Sequence, residues 1–396
     1  MLKEEESQLL HTGPDTLAGR YLRNYWQPVY RAKDLQPGQT VPIQIMSDRF
    51  TLYRGEGGAA HLVAFRCAHR GTQLSSGWVE DDCIRCLYHG WKYESSGQCV
   101  EQPGEDEGFA AKIKIASYPL QEYLGLVFAY LGPGDPPPLR HYPDFDRPGV
   151  VVTMTPELWP CNYWNRLDND PDGFHVLFTH RESIGRMGRL NLYEERRLSV
   201  EETEYGLRTR LNMPDRPPEY LHAIMPNVNT IRVRTGVATS RDDVSVWEDR
   251  MTWAVPVTDE QSLRFEVNHV RLDGEAAEAY RERYARQEQQ LSQANAVGDL
   301  VLTGKLRIPD IDPNASSYEL FRVEDYATEV GQGTIADRSD EHLGREDMGV
   351  ILRRKQWLRE LKALAEGRPL TEWVIPAGLT EMTPEDYAGI PSAARR

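Results

Sequence analysis

Cys67, His69, Cys86 and His89 are the residues whose types and spacing point most directly to chemistry. They stand in the stretch CAHRGTQLSSGWVEDDCIRCLYHGW, as a Cys-x-His pair and a Cys-x-x-His pair with sixteen residues between them. Two thiolates and two neutral imidazoles make a complete donor set for a structural zinc. They equally suit a two-iron sulfur cluster in which the cysteines take one iron and the histidines the other. Zinc fingers and ribbons usually pair Cys with Cys, whereas each half here supplies one Cys and one His, which favours the iron pair. Neutral ligands on one iron raise the reduction potential above that of an all-thiolate cluster, so the site would pass single electrons. Cys83 also makes a Cys-x-x-Cys pair with Cys86, and spacing alone does not exclude it; Cys86 is preferred because it alone completes Cys-x-x-His.

A second constellation lies in NYWNRLDNDPDGFHVLFTH, residues 162–180. Its pattern predicts a helix with Asp170 as N-cap, Pro171 at the first position and Asp172 next. His175 and His180 would face a common metal. Two imidazoles and a carboxylate on one side of an iron(II) leave positions open for dioxygen. Residues five apart on an ideal helix diverge by roughly 140°, so the two histidines converge only if the helix bulges or ends between them. Asp172, one turn before His175, shares its face. It would either stabilise the helix N-terminus or hydrogen-bond a ligand imidazole.

The elements that must position these residues fall into an α+β organisation. Residues 1–25 read as a helical arm, with Leu17, Tyr21, Leu22 and Tyr25 near one face. Residues 26–143 carry short strands broken by Gly and Pro, a small antiparallel β domain that ends in the Pro-rich linker GPGDPPPLRHYP. Residues 144–396 hold longer, mostly alternating strands, predicting a larger antiparallel sheet with one buried face, flanked by helices over 274–297 and 347–367. The last twenty residues read as a loop. With 396 residues, 40% of them hydrophobic, there is ample chain for two cores. A net charge of −15 argues against nucleic acid. No run is apolar enough for a membrane span and the N-terminus is acidic, so a cytoplasmic protein is expected, with Cys99 and Cys161 as plain thiols. No GxGxxG follows a strand, so nicotinamide or flavin chemistry must come from another protein.

CAHRG followed by CLYHGW resembles the cluster signature of Rieske proteins. Together with DxxHxxxxH, the chain resembles over nearly its whole length the catalytic (alpha) subunit of Rieske non-haem iron aromatic ring-hydroxylating oxygenases, in the phthalate dioxygenase-like branch. The resemblance implies a Rieske domain and a helix-grip-like catalytic domain. It also implies a [2Fe-2S] cluster on Cys67, Cys86, His69 and His89, and a mononuclear Fe(II) on His175 and His180. DRSDEHLGREDMGVILRR resembles the segment giving the third iron ligand, which selects Asp347 over its rivals Asp340, Glu341 and Glu346. Asp172 would bridge an iron histidine to His89 of a neighbouring subunit in a homotrimer or a multiple of one. The implied partners are an NAD(P)H-dependent reductase, with or without a ferredoxin, O2, and a small aromatic-type substrate to be hydroxylated, dihydroxylated or oxidatively demethylated. Arg208, Arg210, Arg232 and Arg234 lie on predicted strands and could meet a substrate carboxylate, although strand arginines are usually solvated. The competing readings are a Rieske electron carrier without its own oxygen chemistry and a zinc-binding structural protein.

Overall fold

A computed structural model describes residues 2–186, 197–213, 216–238, 243–291 and 293–379. The chain divides into two compact units. One comprises His11–Arg140 with Val255–Asp259; the other comprises Met1–Leu10, His141–Ala254 and Glu260–Arg396. The N-terminal arm expected as one piece is therefore split between them. Helix α1 (Leu2–Leu10) belongs with the second unit, where Leu9 and Leu10 carbonyls accept from Tyr163 Oη and Asn162 Nδ2. Helix α2 (Leu17–Arg23) belongs with the first; Thr16 caps it by accepting from Gly19 N, and Arg23 donates to the Thr12 and Met46 carbonyls and to Asp48.

Three antiparallel sheets build the first unit. Strands β1 (Gln27–Arg31), β10 (Leu120–Tyr123) and β11 (Leu126–Ala129) form one of them. Strands β2 (Thr40–Ile45), β3 (Asp48–Arg54), β4 (Ala60–Ala64) and β9 (Ser117–Tyr118) form the next. The last is a meander of β5 (Trp78–Glu80), β6 (Cys83–Arg85), β7 (Lys92–Tyr93) and β8 (Cys99–Glu101). The meander packs Ile84, Tyr93 and Cys99 into a core shared with Tyr53, Val63, Leu74 and Trp91, and that core also encloses Cys67 and Cys86. The Cys67 and Cys86 thiols thus sit inside an apolar cluster, on loops beside a small sheet.

The second unit is organised by an eight-stranded antiparallel sheet ordered β12-β19-β18-β17-β16-β15-β14, with β13 also pairing β19. Its strands are β12 (Val150–Thr153), β13 (Glu157–Trp159), β14 (Arg197–Thr203), β15 (Gly206–Met213), β16 (Arg216–Ile224), β17 (Val228–Ala238), β18 (Asp243–Pro256) and β19 (Ser262–Val270). The alternation predicts one buried face, but eight of the nine residues of β19 are buried, so both of its faces are covered. The reason is a layer of buried charge. Glu248 of β18 accepts from Tyr280 and Tyr284 of α6 (Gly274–Leu291), and Glu266 of β19 accepts from Tyr318 and Arg322 of α8 (Ser317–Glu329). A buried carboxylate is tolerated only when its lone pairs are filled, and these are filled from the helices above. The bonds set the rotation of α8 about its axis, which decides which of its residues face the site.

Helix α7 (Ala294–Leu302) packs against α8 with Ala294, Leu320 and Val323 buried together. Helix α9 (Met348–Ala365) buries Trp357 completely, its indole donating to the Pro226 carbonyl. Arg354 of α9 binds Asp168 of α3 (Tyr163–Asn169) at 2.6 Å and Glu341 at 2.5 Å. Among the described residues no helix is long and apolar enough to cross a membrane. The expected C-terminal loop lies, beyond Leu379, outside the described residues.

Candidate metal centres

The two cysteine–histidine loops are built alike. Cys67 N donates to the Thr72 carbonyl and the Cys67 carbonyl accepts from Gly71 N; Cys86 N donates to Trp91 and the Cys86 carbonyl accepts from Gly90 N. Closing each loop needs a left-handed residue four after the cysteine, and Gly71 and Gly90 supply it at φ 75° and 73°. The glycines of CAHRG and CLYHG are thus required by the turn that aims each cysteine inward and each histidine toward the rim. Cys67 and Cys86 are 3% and 2% exposed, and the His69 and His89 rings meet edge to face with centroids 4.4 Å apart. His69 stacks on Trp91, and its Nδ1 is buried without a hydrogen-bond partner. Cys67 Sγ lies 3.2 Å from the Tyr93 hydroxyl. Burial pushes the Cys86 thiol up, opposed by hydrogen bonds from the Tyr88 and His89 backbone.

These four donors form a thiol pair and an imidazole pair rather than one tetrahedral cage. Among the described residues the only group of three His, Cys, Asp or Glu donors within 4.8 Å of one another lies elsewhere. A two-iron cluster bridged by sulfide fits two separated pairs and an orphaned buried Nδ1; a single zinc fits them poorly. Cys83 is half-buried on β6 beside Tyr53, whose hydroxyl donates to the Asp82 carbonyl, and burial also raises its thiol.

The group of three is His175, His180 and Asp325. Helix α4 runs only from His175 to Phe178 and α5 from Arg181 to Arg186, so the histidines straddle the break their spacing demands. Their rings stand 5.4 Å apart. Asp170 does not cap this helix as expected: it is the buried C-cap of α3, near Arg166, because that helix continues to Asn169. Asp172 takes the capping role, its Oδ1 accepting from Phe174 N at 2.9 Å and His175 N at 3.2 Å. Its main-chain carbonyl lies 2.5 Å from His175 Nδ1. Asp172 Oδ2 is 3.8 Å from the same nitrogen on a carboxylate 25% exposed, and burial raises the acid while Asp347 and Glu346 add to that rise.

Asp347 is not brought to the histidines. It stands at the start of α9, where its Oδ2 accepts from Gly344 N at 2.6 Å, and Glu341 beside it pairs with Arg354. Arg354 ties Glu341 of the surrounding segment to Asp168 of α3, and Asp347 acts on Asp172 without joining the imidazole group. Asp325, in the middle of α8, takes the place instead: its Oδ1 is 3.1 Å from His180 Nε2, and both atoms are buried without a hydrogen-bond partner. Its Oδ2 faces Arg166 and Arg322 at 3.7 and 3.8 Å. Two orphaned donors aimed at one another in a dry site are what a metal would join.

The electrostatics agree. Burial drives the His175 imidazole down to about 4, with Asp325 opposing, so it is neutral and able to ligate at pH 7. Burial would also lower His180, but Asp325 and Glu324 outweigh it and the net shift is upward. Burial would raise Asp325, but His180 and Arg166 hold it well below the carboxylate range. Of the strand arginines, Arg208 is paired with Glu201 and Arg232 with Asp249, so both are already neutralised; Arg210 is exposed, and the Arg234 side chain lies outside the described residues.

Residues 25–120 match the Rieske [2Fe-2S] domain family. The chain is 30% identical to the tert-butanol monooxygenase / tert-amyl alcohol desaturase oxygenase subunit of Aquincola tertiaricarbonis, over 94% of this chain and 79% of that protein. It is 27% identical to the 5,5'-dehydrodivanillate O-demethylase oxygenase subunit of Sphingobium sp., over 92% of this chain and 81% of the other. Among solved structures, Pseudomonas putida CBB5 NdmB superposes with a TM-score of 0.63 at 20% identity, covering 87% of this chain and 93% of that one. A cluster-bearing unit, a buried two-histidine-one-carboxylate group in a separate unit and relatives that are oxygenase subunits meet in one assignment: the chain belongs to the Rieske non-haem iron oxygenases, as a catalytic (alpha) subunit of the phthalate dioxygenase-like branch.

Proposed function

We propose that Cys67 and Cys86 hold one iron of the Rieske cluster and His69 and His89 the other, that His175, His180 and Asp325 hold the mononuclear iron, and that the substrate is a small aromatic acid or aryl methyl ether. The convergence of the His175, His180 and Asp325 donors within 4.8 Å carries this reading. When bound, the cluster supplies electrons singly and the mononuclear Fe(II) supplies a place for dioxygen to be reduced.

The protein's part is to keep the donors in the required state. The Asp172 carbonyl accepts the His175 Nδ1 proton and so leaves Nε2 as the lone-pair nitrogen. Arg166 and Arg322 face Asp325 Oδ2 at 3.7 and 3.8 Å, which leaves Oδ1 as the oxygen that would hold the metal. Asp172 keeps Oδ2 for a partner outside its own turn. Together with the exposed His89 this supports a bridge between neighbouring subunits of a homotrimer, the electrons coming from a separate NAD(P)H-dependent reductase, directly or through a ferredoxin.

Substrate class rests on the relatives: one is named as an aryl O-demethylase, another as a tertiary-alcohol monooxygenase. The test is turnover with a surrogate reductase and NADH against aromatic acids, their methyl ethers and tert-butanol, with 18O2 and mass detection. Label should enter an aromatic product or, with a methyl ether, the formaldehyde released by hydroxylation of the methyl group, and His175→Ala should abolish both with the visible cluster spectrum unchanged. Turnover retained by His175→Ala, or confined to tert-butanol, refutes the reading.

The Tyr93 hydroxyl is placed to donate to Cys67 Sγ. Such a bond stabilises the reduced, more negative cluster, so Tyr93→Phe should lower its potential. If the bond favours the reduced state by about 1 kcal/mol, the drop is roughly 40 mV, to be read by spectroelectrochemical titration.

A further inference from the structure

The imidazole of His180 is enclosed by one turn of α8. Phe321 stacks on its face at a centroid distance of 3.3 Å and an interplanar angle of 9°. Glu324 Oε2 stands 3.2 Å from its Nδ1, and Asp325 Oδ1 stands 3.1 Å from its Nε2. Positions i, i+3 and i+4 share one helix face, so a single face of α8 addresses the plane and both nitrogens of one ring. Neighbouring residues on a helix diverge by roughly 100°, and that divergence lets two consecutive acids reach opposite edges of the imidazole.

Glu324 is itself fully buried, and its lone pairs are filled. Oε2 accepts from Ser183 Oγ at 2.6 Å, and Oε1 accepts from Ser183 N at 3.1 Å and Glu182 N at 3.2 Å. The only hydrogen that His180 can direct at such an acceptor is the one on Nδ1. A charged, fixed acceptor at Nδ1 leaves Nε2 with its lone pair facing Asp325. His175 is held differently, by the neutral carbonyl of Asp172. The two histidines of the group are therefore unequal donors, and the carboxylate-backed one is the more basic.

We infer that Glu324 is a positioning residue for the mononuclear iron: through Nδ1 it fixes the tautomer of His180 and strengthens Nε2 as a ligand. The inference rests on the reading of His175, His180 and Asp325 as the iron site. It competes with a plainer role, since the same carboxylate accepts the first backbone N–H groups of α5 and would serve as a cap.

The side-chain bonds separate the two roles. In Glu324→Gln the amide oxygen is drawn to the two backbone donors now bound by Oε1, which turns the NH2 toward His180 Nδ1. That group donates rather than accepts, so the proton moves to Nε2, where the iron must bind. A cap survives this change; a tautomer lock is inverted by it. Glu324→Asp is smaller and packs less well, but it keeps a charged acceptor on the Nδ1 side.

The experiment measures Fe(II) affinity by chelator competition on full-length protein that retains its cluster, with the cluster absorption as the internal measure of folding. Wild type should take up one Fe(II) beyond the cluster. Affinity should fall roughly 10- to 100-fold in Glu324→Gln and lie between the two in Glu324→Asp. Co(II) placed in the same site should show an altered visible band in the Gln variant. Should Glu324→Gln fail to fold, Ser183→Ala, which keeps the charge but frees one lone pair, should weaken Fe(II) by about 3-fold.

Gln binding as tightly as wild type, Asp faring no better than Gln, or an unchanged affinity in Ser183→Ala where that variant stands in, would each overturn the role of Glu324 while leaving the iron site standing. Wild type that takes up no iron beyond its cluster would instead overturn the site on which the inference rests.

Discussion

Asp325→Asn is expected to leave the cluster spectrum intact and to remove both the mononuclear iron and product formation. Removing a partner that only orients a ligand costs roughly 10- to 100-fold in metal affinity, so loss of a ligand itself should exceed the upper end of that range. Asparagine keeps the size of the residue but withdraws the charge that offsets His180 at 3.1 Å and lies near Arg166 and Arg322. Two imidazoles and a neutral amide then remain as donors, with no carboxylate among them to take part in holding a dication. Asp347→Asn is the paired control. Its carboxylate accepts from Gly344 N just before α9, and asparagine keeps an acceptor oxygen there, so the change should cost less than about 1 kcal/mol of stability, with iron content per chain unchanged. Metal analysis of the two variants decides between them; iron lost from Asp347→Asn and kept in Asp325→Asn would reverse the assignment.

The second large effect is at the cluster. Cys86→Ser should yield protein without the visible absorption of a Rieske centre and unable to accept an electron from a reductase, because a buried hydroxyl replaces a thiolate ligand. It should also be less stable, since Cys86 sits in the same apolar core as Cys67, Leu74, Ile84 and Tyr93. Cys83→Ser should retain the absorption and its intensity per chain. Cys83 lies three residues before Cys86, where the loop begins, on a strand whose hydrogen bonds run to β5 and β7, and it lies beside Tyr53. A colourless Cys83→Ser protein would mean that the spacing argument chose the wrong thiol.

How much of this was legible follows from how local each feature is. The proposed cluster ligands are readable because all four, and the two glycines that close their turns, lie within one short stretch. The break between His175 and His180 follows from helix arithmetic and is there. The sheets follow from alternation, except where β18 and β19 carry Glu248, Arg250, Arg264 and Glu266 inward. In sequence these look like solvent-facing positions, and in the fold they meet buried tyrosines and Arg322. Asp325 was missed for the same reason. In SYELFRVEDYATE an acid in mid-helix resembles the solvated face, and nothing nearby says that Glu324 and Asp325 look inward. One signal was present: Leu320, Val323 and Tyr326 mark the buried stripe, and both acids fall within one residue of it. Choosing Asp347 relied on a segment whose acids hold Arg354 and the Gly344 backbone just before α9. The division of residues 1–25 between two units depends on contacts with partners more than a hundred residues away, such as Tyr163 with Leu9.

The 144 positions between His180 and Glu324 also set an order of assembly. The cluster loops need only their own short stretch and the small meander around it, contacts that form early because little chain entropy is spent in closing them. The group of His175, His180 and Asp325 cannot form until strands β14 to β19 have paired and their charged layer has seated α8, since these six of the sheet's eight strands lie within the loop that the site closes. An ion held there acts as a clasp on a finished domain, tying the α4–α5 turn to α8 across a loop whose closure is worth about 5 kcal/mol in the unfolded chain. Under the proposed assignment the two metals would be acquired at different stages: one as the first unit folds around it, the other only by a chain that has already folded.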